Sequence, residues 1–96
     1  MIYTVTLDKI PNQAIKIELD GKDCNLTFVT RGDKLYLDTF SVNGVNIING
    51  IVCLNGNNLL SLSKFKGKLY FNDMQGNENP NFSGLNDRWL LFYEDV

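Results

Sequence analysis

The sequence has no histidine, only two cysteines and two prolines, and a net charge of only −2. Without histidine there is no imidazole base, which excludes a Ser-His-Asp triad, and two cysteines alone cannot complete a zinc site. The remaining carboxylates, among them Asp73, Glu78 and Asp87, lie in polar segments typical of solvated side chains rather than of a glycosidase pair. We therefore expect no catalysis and no metal or other cofactor.

Long hydrophobic runs and basic patches are missing as well. No stretch approaches the roughly 18 apolar residues of a membrane span, and the start MIYTVTLDKIP lacks the basic and apolar regions of a secretory signal. The pI near 4.8 and a single alternating lysine cluster, Lys64, Lys66 and Lys68, argue against a nucleic-acid surface. We expect no membrane or nucleic-acid binding, and free thiols at Cys24 and Cys53.

The overall composition is typical of one small globular domain. The 96 residues are 44% hydrophobic, and we take 1–96 as a single β domain. A chain of this length buries only about two-thirds of its unfolded surface when it folds, so its core is thin and a partner would add stability. The polar stretch 73–87 is expected to be a mobile loop.

Period-two alternation and closely spaced turn signals predict antiparallel strands, and no helical periodicity is present. A short first strand is predicted at residues 2–7, and AIKIELD alternates strictly at residues 14–20. The dipeptides Asp20-Gly21, Gly32-Asp33 and Asn43-Gly44 then fit two-residue hairpin loops. Together these signals predict a four-strand meander.

The turn types also predict which residues face each other across the meander. The expected pairs are Ile17 with Cys24, Ile15 with Leu26, Phe28 with Leu37, Val29 with Tyr36, Leu35 with Val52, Thr39 with Ile48, Tyr36 with Ile51, and Phe40 with Ile47. Both faces of the predicted sheet are then largely apolar. Glu18 faces Asp23, an unfavourable pair of like charges that a longer first loop would remove.

The last predicted strand, RWLLFYE, has no polar face. Trp89, Leu91 and Tyr93 point one way, and Leu90 and Phe92 the other. Two interpretations stay open: the strand is central in a closed β-structure, or it lies at an interface. Packing the later strands over the meander predicts an all-β fold, a single small antiparallel β-barrel or β-sandwich built on the N-terminal meander.

Large side chains on these strands are the candidate buried or interface anchors: Tyr36, Phe40, Ile51, Trp89 and Tyr93. Arg88 is expected to pair with a loop carboxylate and to fix the end of the loop NENPNFSGLND. An alternative from another class is a small carbohydrate- or ligand-binding module that uses Trp89 and tyrosines as stacking platforms. Such a module would leave aromatic faces exposed in a concave site.

Short motifs follow one another in a fixed order along nearly the whole chain. They are YTVTL at 3–7, Pro11 with Gln13, LDG at 19–21, LYLD at 35–38, GIVCLNGNNLL at 50–60, GKL at 67–69, NP at 79–80 and LNDR at 85–88. In this order they resemble the baseplate plug proteins of contractile-tailed bacteriophages and prophages. The chain departs from the family pattern at Leu35, Asn79 and Asn86, where Trp, Asp and Gly are usual. Asn86 keeps the turn plausible, because asparagine tolerates left-handed backbone.

The resemblance implies a structural virion component, a plug or hub subunit on the tail axis that closes the channel until contraction. Its implied partners are other baseplate proteins, namely the hub, the tail tube and the spike, and a homo-oligomer is compatible with it. The implied location is the tail baseplate, after assembly in the bacterial host cytoplasm. No catalysis is implied, and a ring assembly would bury surplus aromatic side chains in its interfaces.

Overall fold

The computed structural model describes residues 1–61, 63 and 65–95. Within them the chain forms seven strands and one 3-10 turn: β1 (Ile2–Val5), β2 (Gln13–Leu19), β3 (Lys22–Arg31), β4 (Lys34–Val42), β5 (Val45–Val52), β6 (Lys68–Asp73), the turn Phe82–Gly84, and β7 (Trp89–Glu94). In this part of the chain no helix has the length and apolar character needed to cross a membrane. The predicted all-β class is confirmed.

The strands form two antiparallel sheets. One is four-stranded in the order β2-β3-β4-β5, which confirms the predicted meander, and the other is three-stranded in the order β1-β7-β6. Both sheets contribute to one hydrophobic core, in which Phe28 of the meander meets Phe71 of the small sheet edge to face with ring centroids 5.9 Å apart. Among the described residues no strand joins the two sheets into a closed barrel.

The first hairpin has the predicted register throughout, and the second has it from its turn as far as the pair of Phe28 with Leu37. Asp20 and Gly21 have φ values of 55° and 74°, and Gly32 has 65°, the positive values that such tight loops require. The confirmed pairs are Ile17 with Cys24, Ile15 with Leu26, Phe28 with Leu37, and Val29 with Tyr36. Glu18 also lies opposite Asp23, so the like-charge pair is present and no longer loop removes it.

The predicted register of the third hairpin is wrong beyond its turn. The observed pairs are Tyr36 with Val52, Leu37 with Ile51, Thr39 with Asn49, and Phe40 with Ile48. They differ by one residue from the predicted Leu35 with Val52, Thr39 with Ile48, Tyr36 with Ile51, and Phe40 with Ile47. The cause is a β-bulge: the β4–β5 register shifts between Phe40 and Ser41, which leaves Ile47 as the extra residue.

A second irregularity, between Thr27 and Phe28 of the β3–β4 pair, has Asp38 as its extra residue. A one-residue shift moves the following side chains to the opposite face of a sheet. Phe40, predicted on the outer face, is therefore fully buried and meets Phe65 edge to face at 5.7 Å. The outer face of the meander is consequently more polar than predicted, and its large apolar side chains include Val29, Tyr36 and Val52, which lie opposite one another across β3, β4 and β5.

Candidate functional site

Strand β7 is the central strand of the small sheet, hydrogen-bonded to β1 on one side and to β6 on the other. Its inward side chains, Trp89, Leu91 and Tyr93, are buried in the core, while Leu90 and Phe92 on the outward face are half-buried. Of the two interpretations left open for this strand, the central position is the one observed, in a three-stranded sheet that the described residues do not close into a barrel. Its outward apolar residues remain partly uncovered, so an interface on that face is compatible with the same geometry.

The five candidate anchors do not lie on one surface. Phe40 and Tyr93 are at most 1% exposed and Trp89 is 7% exposed, so these three belong to the core of the chain itself. Ile51 packs against that core beside Leu37, its partner across β4 and β5. Tyr36 alone is on the outer face of the meander, where the Arg31 guanidinium lies 5.5 Å from its ring centroid.

Trp89 offers no free face for a ligand. Gly84 lies so close to the indole that a Cβ at that position would overlap its six-membered ring. The Arg88 guanidinium lies 4.6 Å from the ring centroid, and the indole Nε1–H donates to the Glu78 carbonyl at 3.1 Å. The carbohydrate-binding alternative needs an exposed aromatic platform, and Trp89 does not provide one.

The outward face of the small sheet carries an apolar strip, which we call the outer strip: Ile2, Tyr70, Leu90 and Phe92. Ile2 is 56% exposed, and the Tyr70 and Phe92 rings lie side by side with centroids 5.8 Å apart. Lys68 and Glu94 face each other at one end, and the Tyr70 hydroxyl donates to Glu94 at 3.4 Å. The sequence reasoning missed Ile2 and Tyr70, because their place depends on β1 and β6 flanking β7.

Arg88 is the centre of a charged cluster with Asp73 and Glu78, which we call the Arg88 cluster. Its Nε and Nη2 donate to the buried Asp73 carboxylate at 2.9 and 2.8 Å, and Nη2 also donates to Glu78 at 2.7 Å. The backbone N–H groups of Gln75 and Glu78 donate to the same Asp73 carboxylate, each at 2.9 Å. Chiefly the Arg88 hydrogen bonds hold the pKa of Asp73 well below its usual range.

The predicted pairing of Arg88 with a loop carboxylate is thus confirmed, while Asp73 was not singled out as its main partner. Further contacts hold the loop: the Asn79 side chain accepts from the Asn55 N–H at 3.0 Å, and Pro80 is buried. Asn86 has a φ of 61°, so it takes the left-handed backbone expected there. The mobility predicted for 73–87 concerns motion and stays a prediction.

The cysteines and the acidic residues show no sign of a metal site. Cys24 and Cys53 are both free and buried, and burial raises the pKa of the Cys53 thiol to about 12. A protonated, buried thiol is a core residue rather than a nucleophile. Within residues 1–61, 63 and 65–95, no three Cys, Asp or Glu side chains are grouped to hold a metal ion.

Comparison with protein-family models matches residues 2–96 to one family, described as cyanophage baseplate Pam3 plug gp18. The match spans almost the whole chain and agrees with the family that the order of its motifs resembles. Comparison with curated proteins gives no match.

Proposed function

The chain belongs to the cyanophage baseplate plug family, and from this premise we propose that it is a plug or hub subunit that acts through protein-protein contacts on the tail axis. A structural role in the phage baseplate follows from the family, as do a place in the virion tail and contacts with other baseplate proteins. Within that role we propose contacts with the hub, the tail tube and the spike, assembly in the host cytoplasm, and no catalytic activity.

The observation that carries the proposal is the outer strip. The inward face of β7 is filled by the core, whereas its outward face leaves apolar and aromatic side chains partly open to solvent. Partly exposed aromatic and apolar side chains on one face of a sheet are typical of an interaction surface. Charged groups adjoin them, since Glu94 lies opposite both Ile2 and Lys68, and interfaces commonly combine apolar and charged side chains in this way.

The other candidate anchors support the proposal in different ways. Tyr36 faces outward on the meander, so we propose it as a second contact. Phe40, Trp89 and Tyr93 instead belong to the core that both sheets share, and Ile51 packs against it. We also infer that the sheets face each other as a β-sandwich, since side chains from both fill one core.

The test is complex formation in solution. Light scattering on the chain alone and mixed with the products of its neighbouring genes should reveal a stoichiometric complex. The double variant Ile2→Thr/Phe92→Thr should bind about tenfold more weakly, the usual effect of removing central apolar contacts. Thr keeps the preference for β-structure, and circular dichroism checks that both strands still form.

Val45→Thr is the matched control, because Val45 is an apolar strand residue that is 63% exposed on the other sheet. It should leave the affinity unchanged. Equal weakening by the control and by the double variant would contradict the role of the outer strip. A wild-type chain that stays monomeric and binds none of the neighbouring products would contradict the plug or hub role itself.

A further inference from the structure

The two sheets end in the edge strands β1, β6, β2 and β5, and three of these edges are protected against further pairing. Strand β1 is only four residues long. Strand β5 has the bulge at Ile47 and a φ of 68° at Gly50, both of which distort a ladder. The edge of β6 is covered by residues 55–59, where the N–H groups of Gly56 and Leu59 donate to β6 carbonyls at 2.8 and 2.7 Å. Short, distorted or covered edges are how sheets avoid unwanted pairing.

Strand β2 has none of these protections. Its seven residues pair with β3 in one unbroken register. Within the part of the chain that the structure describes, the backbone of residues 14–19 makes no backbone hydrogen bond outside the β2–β3 ladder. Ile15 and Ile17 pack against the core but are only half-buried, so this edge also leaves apolar surface open. A regular, uncovered edge of this kind is a template for another strand.

The backbone groups at the free edge of β2 belong to Ala14, Lys16 and Glu18. Facing residues in an antiparallel pair of strands alternate between hydrogen-bonded and non-hydrogen-bonded pairs. Asp23 faces Glu18, but its N–H donates to the Asn43 side chain at 3.1 Å and its carbonyl accepts from the Asn43 N–H at 2.7 Å. Glu18 and Asp23 are therefore a non-hydrogen-bonded pair, and the N–H and carbonyl of Glu18 point away from β3. By the same alternation, those of Lys16 and Ala14 also point to the free edge.

The charges on this edge complement those of a second copy of the same edge. Lys16 and Glu18 are exposed, and neither has an ion pair among the residues that the structure describes. When two copies of β2 run antiparallel with Ile17 opposite Ile17, Lys16 of each copy lies opposite Glu18 of the other. These are the residues whose backbone groups point outward, so each such pair can exchange its N–H···O bonds. A lysine then also adjoins the Glu18 carboxylate that repels Asp23 in the single chain.

We propose that the chain forms a symmetric dimer through β2, in which two meanders join into one continuous antiparallel sheet about a two-fold axis at Ile17. A two-fold axis suits a self-complementary strand, because every contact then occurs twice. The contact buries less than the roughly 1,200 Å² of standard interfaces, so the dimer is weak and depends on concentration. It uses none of the residues of the outer strip. The proposal concerns the chain alone and does not rest on the proposed function.

The first test is sedimentation of the purified chain from micromolar concentrations up to about 1 mM, where weak interfaces assemble. A dimer should form across this range, and a chain that stays monomeric throughout would overturn the proposal. Amide hydrogen exchange at both ends of the range then locates the contact. The N–H groups of Lys16 and Glu18 should exchange several-fold more slowly in the dimer, whereas those of Asn46 and Asn49 in β5 should not change. Slower exchange in β5 or the outer strip without a change at Lys16 and Glu18 would overturn the assignment to β2.

Charge variants test the register of the dimer. Lys16→Glu and Glu18→Lys each place like charges opposite each other on both sides of the axis, so each should raise the dimer dissociation constant about tenfold. An equimolar mixture of the two variants should dimerise again, because opposite charges then meet at both positions, and Lys16→Glu/Glu18→Lys should dimerise like the wild type. Lys34→Glu is the control, the same change of charge at an exposed residue of β4, and should leave the dissociation constant unchanged. A mixture that stays monomeric, or a control weakened as much as Lys16→Glu, would overturn the pairing.

Discussion

The Arg88 cluster and the Glu18–Asp23 pair of the first hairpin both bring carboxylates together, yet they are built in opposite ways. In the Arg88 cluster every oxygen of the buried Asp73 carboxylate has a donor, from one guanidinium and two backbone N–H groups. In the first hairpin, Glu18 lies directly opposite Asp23, and neither carboxylate has an ion pair among the described residues.

The difference distinguishes carboxylates that stabilise the fold from carboxylates that destabilise it. A buried carboxylate whose acceptors are all satisfied stabilises the fold and has no capacity left for a ligand. Like-charged carboxylates that face each other without a cation lower stability, as does a buried hydroxyl without a partner among the described residues, such as that of Tyr93. The predictions below test each side of this contrast.

The largest expected effect is that of Arg88→Ala. It leaves the Asp73 carboxylate buried without a cation and frees the loop at Glu78, so we expect the melting temperature to fall by roughly 10 °C. Arg31→Ala is the control, because the Arg31–Asp38 pair spans 3.5 Å and both side chains are exposed. The control should change the melting temperature by no more than about 2 °C. If both variants lowered the melting temperature equally, the Arg88 cluster would contribute no more than an exposed surface ion pair.

The second effect is a loss of stability in acid. The folded-state pKa of Asp73 is lowered chiefly by its hydrogen bonds to Arg88, so its contribution is present above the unfolded pKa, near 4, and is lost as pH falls below it. The pKa values of Asp87 and Asp95 are lowered too, chiefly by hydrogen bonds to Lys9 and to the amino terminus. The melting temperature should therefore fall between about pH 5 and pH 2.

Asp73→Asn tests which group dominates this acid dependence. The variant should be less stable than the wild type at pH 7, and its melting temperature should fall much less on acidification. Thermal scans at several pH values measure both slopes. Parallel slopes for the two proteins would show that Asp73 contributes nothing to the acid transition.

The third expected effect is a gain in stability rather than a loss. Tyr93→Phe removes a buried hydroxyl without a described partner while keeping the ring packed against Phe65, so urea unfolding should show a gain of about 1 kcal/mol. Tyr70→Phe is the matched control, because its hydroxyl has only a long bond to Glu94, at 3.4 Å. The control should lie within about 0.5 kcal/mol of the wild type. A destabilised Tyr93→Phe would mean that the hydroxyl is paired.

The smallest effect is that of Asp23→Lys. It places opposite charges where Glu18 and Asp23 now repel, which should stabilise the chain by a few tenths of a kcal/mol. The gain should vanish in 1 M salt, since screening removes interactions between exposed charges. A gain that persists at high salt would have to come from packing and not from charge.

Turn dipeptides in the sequence predicted the hairpins that they connect. The register shifts depend instead on contacts between segments that are distant in the sequence. The dipeptides Asp20-Gly21 and Gly32-Asp33 set the first two hairpins, because tight loops require positive φ at particular residues. The two register shifts, with Asp38 and Ile47 as their extra residues, have no such signature. The shift at Asp38 accompanies the burial of Phe40 against Phe65, a residue outside the meander.

The same limit applies to the candidate sites. Arg88 could be paired with a loop carboxylate in advance because the two are close in sequence, but Asp73 is followed by polar residues and reads like the start of a loop. Glu18 opposite Asp23 was recognised only as a defect of the register.

The pairing of β1 with β7 sets the order in which the molecule is built. Val5 pairs with Leu91, so β1 can pair only after β7 has been synthesised. Each hairpin of the meander, in contrast, joins two strands that follow one another in the chain. Because distant pairings form slowly, the meander should fold first and then act as a template for the small sheet. Until β7 is synthesised, Phe71 and the other core residues of β6 are exposed, so a chain that stops before Trp89 lacks the central strand of the small sheet and is prone to aggregate.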